Sequence, residues 1–422
     1  MTESASRDLA RDSHYVPAAM LRRWSDDDTH VFACRLLVSS SRVPLWSRRA
    51  IRGIAYRRDL YTVFKGGQEL DELERWLGTE FEHPGLEAVD RLLDGARLTP
   101  QDWKRMARLV AAQDVRTPLS FLESMRRWDR EIPELLNQTL EEAAVRLEAR
   151  QEFEPPGPGT RRDDSEFAGL FRISIEPPKA AESDQTHIRA EVPVGRGLWV
   201  ASIRHTLRTL SEVLCDHRWS VAEPYGEEEW PLTDHPVLRL NYYTPGHYDF
   251  GGGWGNLGSE IIMPLSPTRL LYVKVGSKAP NRFAFSEHET RLVQQLIVER
   301  AHRWVFGTRP LEWVGSMRPR IIDAERFKAE EAMWKNWHRD QLQSEISSET
   351  AKHGPANPPS RLGKSTTIRK EWACDLPSQV FSTRRGRRRC RVDFRDRRRS
   401  GDRCESDRER GTGHLRGILG SG

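Results

Sequence analysis

The stretch TPQDWKRMARLVAAQDVRTP (99–118) decides the class of fold, because it carries the clearest helix signals in the chain. Thr99 is a preferred N-cap residue, and Pro100 is favoured at the first helical position. Thr117 precedes Pro118 and is therefore biased away from helical angles, so the helix is expected to end there. Between these ends, apolar residues recur with the period of an amphipathic helix: Trp103, Met106, Ala107, Val110 and Ala111.

The segments on either side of this helix predict an α+β fold. Helical periodicity extends over about 66–152, whereas strand-like segments rich in β-branched and aromatic residues fill about 165–306. EPPGPGTRRDD (154–164) separates the two parts as a possible hinge. Two further strand-like segments precede the helices, HVFACRLL (30–37) and AIRGIAYRRDLYTVF (50–64). Because helices and strands do not alternate, we expect a helical N-terminal half packed with a mostly antiparallel sheet from the C-terminal half.

Composition divides the chain into three parts. We expect a flexible N-terminus (1–12), a single globular α+β body (13–345), and a linker with a disordered Arg-rich tail (346–422). From residue 384 onwards the tail holds 14 Arg and 6 Asp or Glu, and it lacks the apolar residues that offset the entropy of ordering. Two interpretations of the tail remain open. The first is that the tail binds nucleic acid or another anionic surface. The second is that it is an accidental extension, such as translation out of frame.

The charge of the chain is unevenly placed. The net charge is +5 and the pI is about 9.0. Residues 384–422 contribute +8 of that charge, which leaves −3 on the other 383 residues. A slightly acidic body lacks the electrostatic footprint of a nucleic-acid-binding domain. We therefore expect any nucleic-acid binding to run through the basic tail alone.

Cysteine usage and hydropathy predict the compartment. The chain has no CxxC pair, which argues against a disulfide scaffold or a cysteine-rich zinc site and favours a reducing compartment. Its five cysteines are widely spaced: Cys34, Cys215, Cys374, Cys390 and Cys404. No run approaches the roughly 20 consecutive apolar residues of a membrane helix, and the first residues lack the apolar core of a signal peptide. The sequence thus predicts a soluble cytoplasmic protein that does not act on membranes.

No phosphate-loop, zinc-protease or nucleophile-elbow motif is present, so the candidate functional residues come from four polar clusters. SHYVP (13–17) places His14 and Tyr15 in an extended or turn segment, where they either face a site or anchor the N-terminus to the core. Glu80 and His83 lie three residues apart on a predicted helix and share a face. That face suits either a divalent metal or solvent and ion pairs.

The other two clusters lie further along the chain. Gln113 and Arg116 stand at the end of the long helix. There the planar fork of Arg116 either holds a carboxylate or phosphate or interacts with the helix dipole as a structural cap. Thr233 and Asp234 occupy a strand-end loop fixed by prolines on both sides, a frequent functional position. Their structural alternative is a turn in which Asp234 accepts backbone N–H groups.

Taken in order, these segments resemble a bacterial family known as domain of unknown function 4238, whose opening pattern is H-Y-V-P-x-x-x-L-R-x-F/W. The resemblance is carried by these residues: HYVP with LRRW (14–24), Tyr61-Thr62, Leu73-Glu74 with Glu80, AQDVRTP (112–118), Trp219, TDHPV (233–237) and PLSP (264–267). The resemblance covers about residues 13–306. It implies a shortlist of site residues and no particular reaction.

Two functions from different classes are compatible with these residues. The first is an accessory or defence-type interaction module, in which the polar residues form a structural network. The second is a metal-assisted hydrolase or phosphoesterase. Its roles would be catalytic for His14, Arg116 and Asp234, substrate-binding for Tyr15, Gln113 and Thr233, and metal-ligating for Glu80 and Asp234. Because a buried polar group needs a partner, we expect His14, Arg116 and Asp234 to meet. In that arrangement Arg116 donates to Asp234 or to a backbone carbonyl near His14.

Overall fold

The structure is a computed structural model, and it describes residues 9–148, 167, 170, 172–176, 187–244 and 246–353. The predicted hinge (154–164) and the predicted linker and tail from residue 354 onwards lie outside these ranges.

The described residues form both helices and strands. The α-helices are α1 (Ala18–Arg22), α2 (Glu72–Leu77), α3 (His83–Leu93), α4 (Pro100–Val115), α5 (Pro118–Glu148), α6 (Arg196–Thr209), α7 (Ser211–Cys215), α8 (Glu287–Arg300), α9 (Trp313–Met317) and α10 (Ala324–His353). The strands are β1 (Asp12–His14), β2 (His30–Arg35), β3 (Leu37–Val38), β4 (Trp46–Ala50), β5 (Tyr56–Arg58), β6 (Val63–Lys65), β7 (Gln68–Leu70), β8 (Arg172–Glu176), β9 (His187–Glu191), β10 (Ser220–Glu223), β11 (Leu232–Thr233), β12 (Leu238–Thr244), β13 (His247–Asp249), β14 (Glu260–Ser266), β15 (Arg269–Lys274), β16 (Arg282–Ala284), β17 (Trp304–Gly307) and β18 (Ile321–Ile322).

The predicted long helix is present as α4, and its ends lie where the sequence signals place them. Thr99 accepts a hydrogen bond from the Asp102 backbone N–H, and Asp102 returns one to the Thr99 N–H, which completes a capping box. The apolar face of α4 is buried at Met106 and Val110 and partly buried at Trp103. It packs against α3 and α7. Helix α4 therefore lies in the middle of the main hydrophobic core.

The α+β class is confirmed, and most strand pairs are antiparallel. The larger sheet has the order β13-β12-β14-β15-β10-β16, and only its β10–β16 pair is parallel. The smaller sheet has the order β11-β17-β2-β4. In this sheet β2 pairs with β17 from the other end of the body.

The predicted division into a helical first half and a sheet from the second half is wrong for the first 70 residues, which hold seven strands. The segment predicted as one strand (50–64) is broken into a 3-10 turn and parts of three strands. Ala55 and Asp59 have positive φ angles of 53° each, a left-handed conformation that an extended strand does not contain. Local β-propensity is correct here, but the backbone kinks end each strand early.

The helical segment after residue 70 continues through Pro84. Helix α2 passes into a single π turn (Gly78–Glu82), and α3 follows without a loop. Pro84 lies in the first turn of α3, directly after the π turn, a position at which proline is tolerated. The π turn inserts extra backbone and so changes which side chains face the core.

The last helix packs along the body. Helix α10 runs to His353, eight residues beyond the predicted end of the body at 345. Its Glu331 pairs with Arg35 of β2 at 2.6 Å, and its Trp337 is buried against Phe121 of α5 with ring centroids 4.8 Å apart. This helix therefore contacts elements from several parts of the chain.

Within the described ranges, no helix is long and apolar enough to cross a membrane.

Candidate functional site

Arg116 is the centre of the motif residues. It is the C-cap of α4, and its side chain is fully buried. Its Nη1 donates to the carboxylate of Glu82. Its Nη2 donates to the backbone carbonyl of His14 at 2.6 Å and lies 3.5 Å from Glu74 Oε2. Its Nε donates to the hydroxyl of Tyr61 at 3.3 Å. All three nitrogen atoms of the guanidinium are thus engaged inside the protein.

The acidic partner of Arg116 is Glu82, and the predicted metal ligand Glu80 is exposed. Both residues lie in the π turn, which shifts the facing of side chains away from a regular helical spacing. His83, the expected metal partner of Glu80, has its Nδ1 2.7 Å from the backbone oxygen of Gly78. One ring nitrogen of His83 is therefore engaged with the backbone of the π turn.

His14 and Tyr15 tie the N-terminal segment to the core. The His14 ring lies against Tyr56 of β5, with centroids 5.6 Å apart. Its Nε2 is buried without a hydrogen-bond partner among the described residues. Burial, and then the nearby charge of Arg116, lower the pKa of His14. Tyr15 is almost completely buried, and burial raises the pKa of its hydroxyl. Tyr15 thus lies in the interior, whereas His14 is half-buried.

Gln113 lies on the buried face of α4. Its side chain is inaccessible to solvent, and neither amide atom has a partner within the described ranges. Leaving such groups unpaired costs about 1–3 kcal/mol each. The adjacent Asp114 is bonded: its Oδ2 accepts from Trp254 Nε1 at 2.8 Å and lies 3.1 Å from Arg239 Nε.

Asp234 acts as a long-range clamp. Its two carboxylate oxygens accept hydrogen bonds from the backbone N–H groups of His302 and Arg303, each at 2.8 Å. The expected local turn at this position is therefore replaced by a link to the segment before β17. Burial raises the pKa of Asp234 to about 6, against the opposing effect of these hydrogen bonds. The preceding Thr233 is fully buried, and its hydroxyl donates to the His235 carbonyl at 2.8 Å.

His235 joins the end of α4 to the Asp234 loop. Its Nδ1 lies 2.6 Å from the hydroxyl of Thr117. Burial, followed by the charges of Arg300 and Arg239, lowers its pKa well below the usual value for histidine. Its Nε2 is buried and has no partner among the described residues. The ring is therefore held neutral inside the protein.

The predicted meeting of the motifs is present in a modified form. Arg116 donates to the backbone carbonyl of His14, as one of the two expected arrangements required. Arg116 and Asp234 are linked indirectly. Thr117, which follows Arg116, contacts His235, which follows Asp234. The sequence interpretation did not assign roles to Glu82, Thr117 and His235, although each adjoins a residue that it selected.

The glycine-rich loop between β13 and β14 contains GWGNLG (253–258), which fits the spacing G-x-G-x-x-G. That spacing binds dinucleotides only where it follows a strand and opens a helix, and here it joins two strands. Trp254 anchors the loop to Asp114, and the Trp254 carbonyl lies 2.5 Å from His217 Nε2. A tryptophan within a run of glycines was the sequence signal that could have indicated the contact between this loop and α4.

The two predicted metal ligands of the hydrolase hypothesis lie in different environments. Glu80 is exposed, and both oxygens of the buried Asp234 are used by backbone N–H groups. Within the described part of the chain, no three His, Cys, Asp or Glu side chains are grouped as ligands of one ion.

Comparison with known proteins agrees with the motif order. The model of one family, described as a protein of unknown function (DUF4238), matches residues 13–310. Neither the curated proteins nor the solved structures contain a match. The family match spans well over half of the chain and includes every motif described above. The chain therefore belongs to the DUF4238 family.

Proposed function

We propose that the chain is a binding module in which the family motifs are structural. In this proposal the motif residues hold the end of α4 against the N-terminal segment and against the segment before β17. The outer surfaces of the body are then free to recognise a partner. An accessory role of this kind does not require a catalytic centre at the motifs.

The saturated guanidinium of Arg116 is the observation that carries this proposal. A catalytic arginine stabilises charge that develops on a substrate, so it needs donors aimed at an accessible space. Arg116 is fully buried, and its donors are used by Glu82, the Tyr61 hydroxyl and the His14 carbonyl. Removing one partner from such a buried network is costly because the remaining charge is left unpaired. The arrangement favours a structural role.

The alternative proposal is a metal-assisted hydrolase or phosphoesterase. It requires a carboxylate oxygen of Asp234 that is free to bind an ion or to accept a proton. Both oxygens already accept backbone hydrogen bonds at 2.8 Å. Its second ligand, Glu80, is exposed. These two observations place the hydrolase second.

The partner and the compartment are proposed from the sequence. The acidic balance of residues 1–383 argues against nucleic acid as a partner of the body, so nucleic acid would bind through the Arg-rich segment 384–422. The wide cysteine spacing favours a cytoplasmic location.

A titration with Mn²⁺ separates the two proposals. The full chain, Glu80→Gln and Asp234→Asn are titrated calorimetrically, and each is then assayed for Mn²⁺-dependent hydrolysis of bis(p-nitrophenyl) phosphate. The binding-module proposal expects no stoichiometric Mn²⁺ site and no hydrolysis that depends on either carboxylate. Stoichiometric binding that is lost in both variants, together with loss of hydrolysis, would overturn it.

A further inference from the structure

A cleft of about 590 Å³ lies between the loop after β10 (225–229), the start of α8 and the segment that leads into α9 (309–313). None of the motif residues lines it. Binding in this cleft would not use the Arg116 network, so the inference goes beyond the proposed function and does not depend on it.

The cleft is acidic when every charged residue of its lining is counted. Among the described residues, one cation, Arg309, and five glutamates line it: Glu227, Glu228, Glu229, Glu287 and Glu312. Arg309 lies 3.3 Å from Glu229. Arg291, which is outside the lining, lies 3.7 Å from Glu228 and 3.6 Å from Glu287. With both arginines included, the net charge is 2 − 5 = −3.

Two observations point to a bound group that carries N–H donors. The side chains of Glu227 and Glu312 are exposed and form no ion pair within the described ranges. Gln294 of α8 is fully buried, and its Nε2 donates to Glu228 at 3.1 Å and to the Glu229 carbonyl at 3.0 Å. Its Oε1 has no donor among the described residues. A buried acceptor without a donor is uncommon, so the cleft offers more acceptors than the described residues satisfy.

Aromatic rings form another part of the wall and favour a guanidinium over an ammonium group. Tyr225 is 53% exposed, and Trp313 is half-buried. A planar guanidinium stacks on such rings while its N–H groups bind carboxylates, whereas the ammonium group of lysine is a compact, strongly hydrated charge. The lining therefore suits arginine side chains.

The chain itself contains a segment of matching composition. Residues 384–399 hold ten arginines, no lysine and two acids, Asp393 and Asp396, so their net charge is 10 − 2 = +8. This segment and the acidic cleft are complementary in charge. Its cations are all of the type that the aromatic rings favour.

The segment is separated from the body by enough chain to reach the cleft. Residues 354–383 lie between it and His353, the last residue of α10, and at about 3.3 Å per residue they span up to about 100 Å. Helix α10 is about 45 Å long. Its first residue, Ala324, is 11 residues from Trp313 and so within about 40 Å of the cleft. The distance from His353 to the cleft is therefore below about 85 Å.

We propose that this cleft binds arginines of residues 384–399 of the same molecule. The guanidinium groups pair with Glu227 and Glu312 and stack on Tyr225 and Trp313. The contact lies on the outside of the body and consists mainly of exposed charges, so it does not extend the hydrophobic core. It keeps the basic segment from other anionic partners until they compete for the same arginines.

Trypsin cleavage of the full chain tests the proposal, because trypsin cuts after arginine and a docked segment is protected. The initial rate of cleavage within residues 384–399, followed by mass spectrometry, reports the fraction of undocked segment. Glu227→Gln/Glu312→Gln should raise this rate about two- to fivefold, because exposed charge pairs contribute modestly. Glu87→Gln/Glu134→Gln, at two exposed glutamates outside the cleft, is the matched control and should leave the rate unchanged.

Two further measurements test the chemistry of the contact. Tyr225→Ser removes an exposed ring and leaves every charge in place, and it should raise the cleavage rate about two- to fivefold. At about 1 M NaCl, where the Debye length is about 3 Å, the unmodified chain and Glu227→Gln/Glu312→Gln should be cut at nearly equal rates. Circular dichroism verifies that each variant is folded. A docking equilibrium of this size shifts the melting temperature of the body by only about 1 °C.

Three results would overturn the proposal or one of its parts. Equal cleavage rates of the unmodified chain and Glu227→Gln/Glu312→Gln at low salt would overturn the docking, and so would an equal rise in the control variant. An unchanged rate in Tyr225→Ser would overturn the role of the ring. Protection that increases with protein concentration would overturn the intramolecular form, because the bound segment would then belong to a second copy.

Discussion

Nη2 of Arg116 lies 2.6 Å from the backbone carbonyl oxygen of His14, although 102 residues separate the two in the chain. Because the acceptor is a backbone atom, this contact does not depend on which side chain stands at position 14. It depends on the path of β1, which pairs with β5 and so fixes where that carbonyl lies. The contact of Arg116 therefore depends on where β1 lies and not on the histidine side chain.

Replacing Arg116 should therefore damage stability before it damages any activity. We expect Arg116→Met to lower the free energy of unfolding by about 3–5 kcal/mol, because Glu82 and Glu74 are left without their buried cation. Urea denaturation measures the loss. Arg52→Met, at an exposed arginine, is the control and should change stability by less than about 0.5 kcal/mol. A value for Arg116→Met that equals the control would contradict the structural role.

Two glutamates of the π turn provide a matched pair. Glu82→Gln removes the charge that binds Arg116, and we expect it to lower the free energy of unfolding by about 1–3 kcal/mol. Glu80→Gln removes an exposed charge two residues away and should cost less than about 0.5 kcal/mol. The same denaturation measurement compares them. A larger loss of unfolding free energy for Glu80→Gln would mean that Glu80, and not Glu82, points toward Arg116.

The pKa of His235 predicts a dependence of stability on pH. Burial keeps its folded-state pKa well below the usual value, so the unfolded chain takes up a proton below about pH 6.5 while the folded chain does not. Stability is fully present above that pH and falls by about 1.4 kcal/mol per pH unit below it. We expect His235→Asn to remove the part of this slope that His235 contributes between about pH 6.5 and 5. The buried His302, whose pKa also lies well below the usual value because of burial, keeps its own part. Urea denaturation at several pH values measures the difference.

The control for this prediction is His288→Asn, at an exposed histidine, which should keep the slope of the unmodified chain. Asp234 contributes with the opposite sign, because its folded-state pKa is raised to about 6 and its contribution to stability grows as the pH falls through that value. That contribution is common to both proteins and cancels in their comparison. A slope in His235→Asn as steep as in the control would show that the His235 ring is already protonated in the folded chain.

Truncation tests the C-terminal boundary of the body. Removal of residues 354–422, which composition predicts to be disordered, should leave the melting temperature unchanged within about 1 °C, since a disordered segment adds nothing to the core. Removal from residue 336 onwards also deletes Trp337 and Glu345, and we expect the melting temperature to fall by well over about 5 °C. Thermal unfolding followed by circular dichroism measures both. A marked fall in the shorter deletion would place part of the segment after residue 353 in contact with the body.

The parts of the fold that could be predicted are those encoded locally. Thr99 and Asp102 form the start of α4 through a capping box, and Thr117 before Pro118 ends it, so both ends follow from neighbours in the sequence. The same holds for the capping box of Ser286 with Glu289 at α8. Signals of this kind depend on a few adjacent residues and survive folding unchanged.

The parts that could not be predicted depend on distant contacts. The pairing of β2 with β17 brings together strands about 270 residues apart. The pattern of apolar residues in a strand shows which face is buried, but it does not show which strand is its partner. Glu82 was passed over in favour of Glu80 because a regular helix was assumed where the chain makes a π turn. The sequence did point to the right segments of the site, but it did not reveal that Asp234 clamps backbone atoms of His302 and Arg303.

Helix α10 has a consequence for how this family is delimited. The family match ends at residue 310, and α10 begins at Ala324. Yet Trp337 lies in the main core, and Gln341 satisfies the first N–H of α6. A recombinant fragment cut at the boundary of sequence similarity would expose that apolar surface and lose that acceptor. The segment that the family model matches is therefore shorter than the unit that folds in this chain.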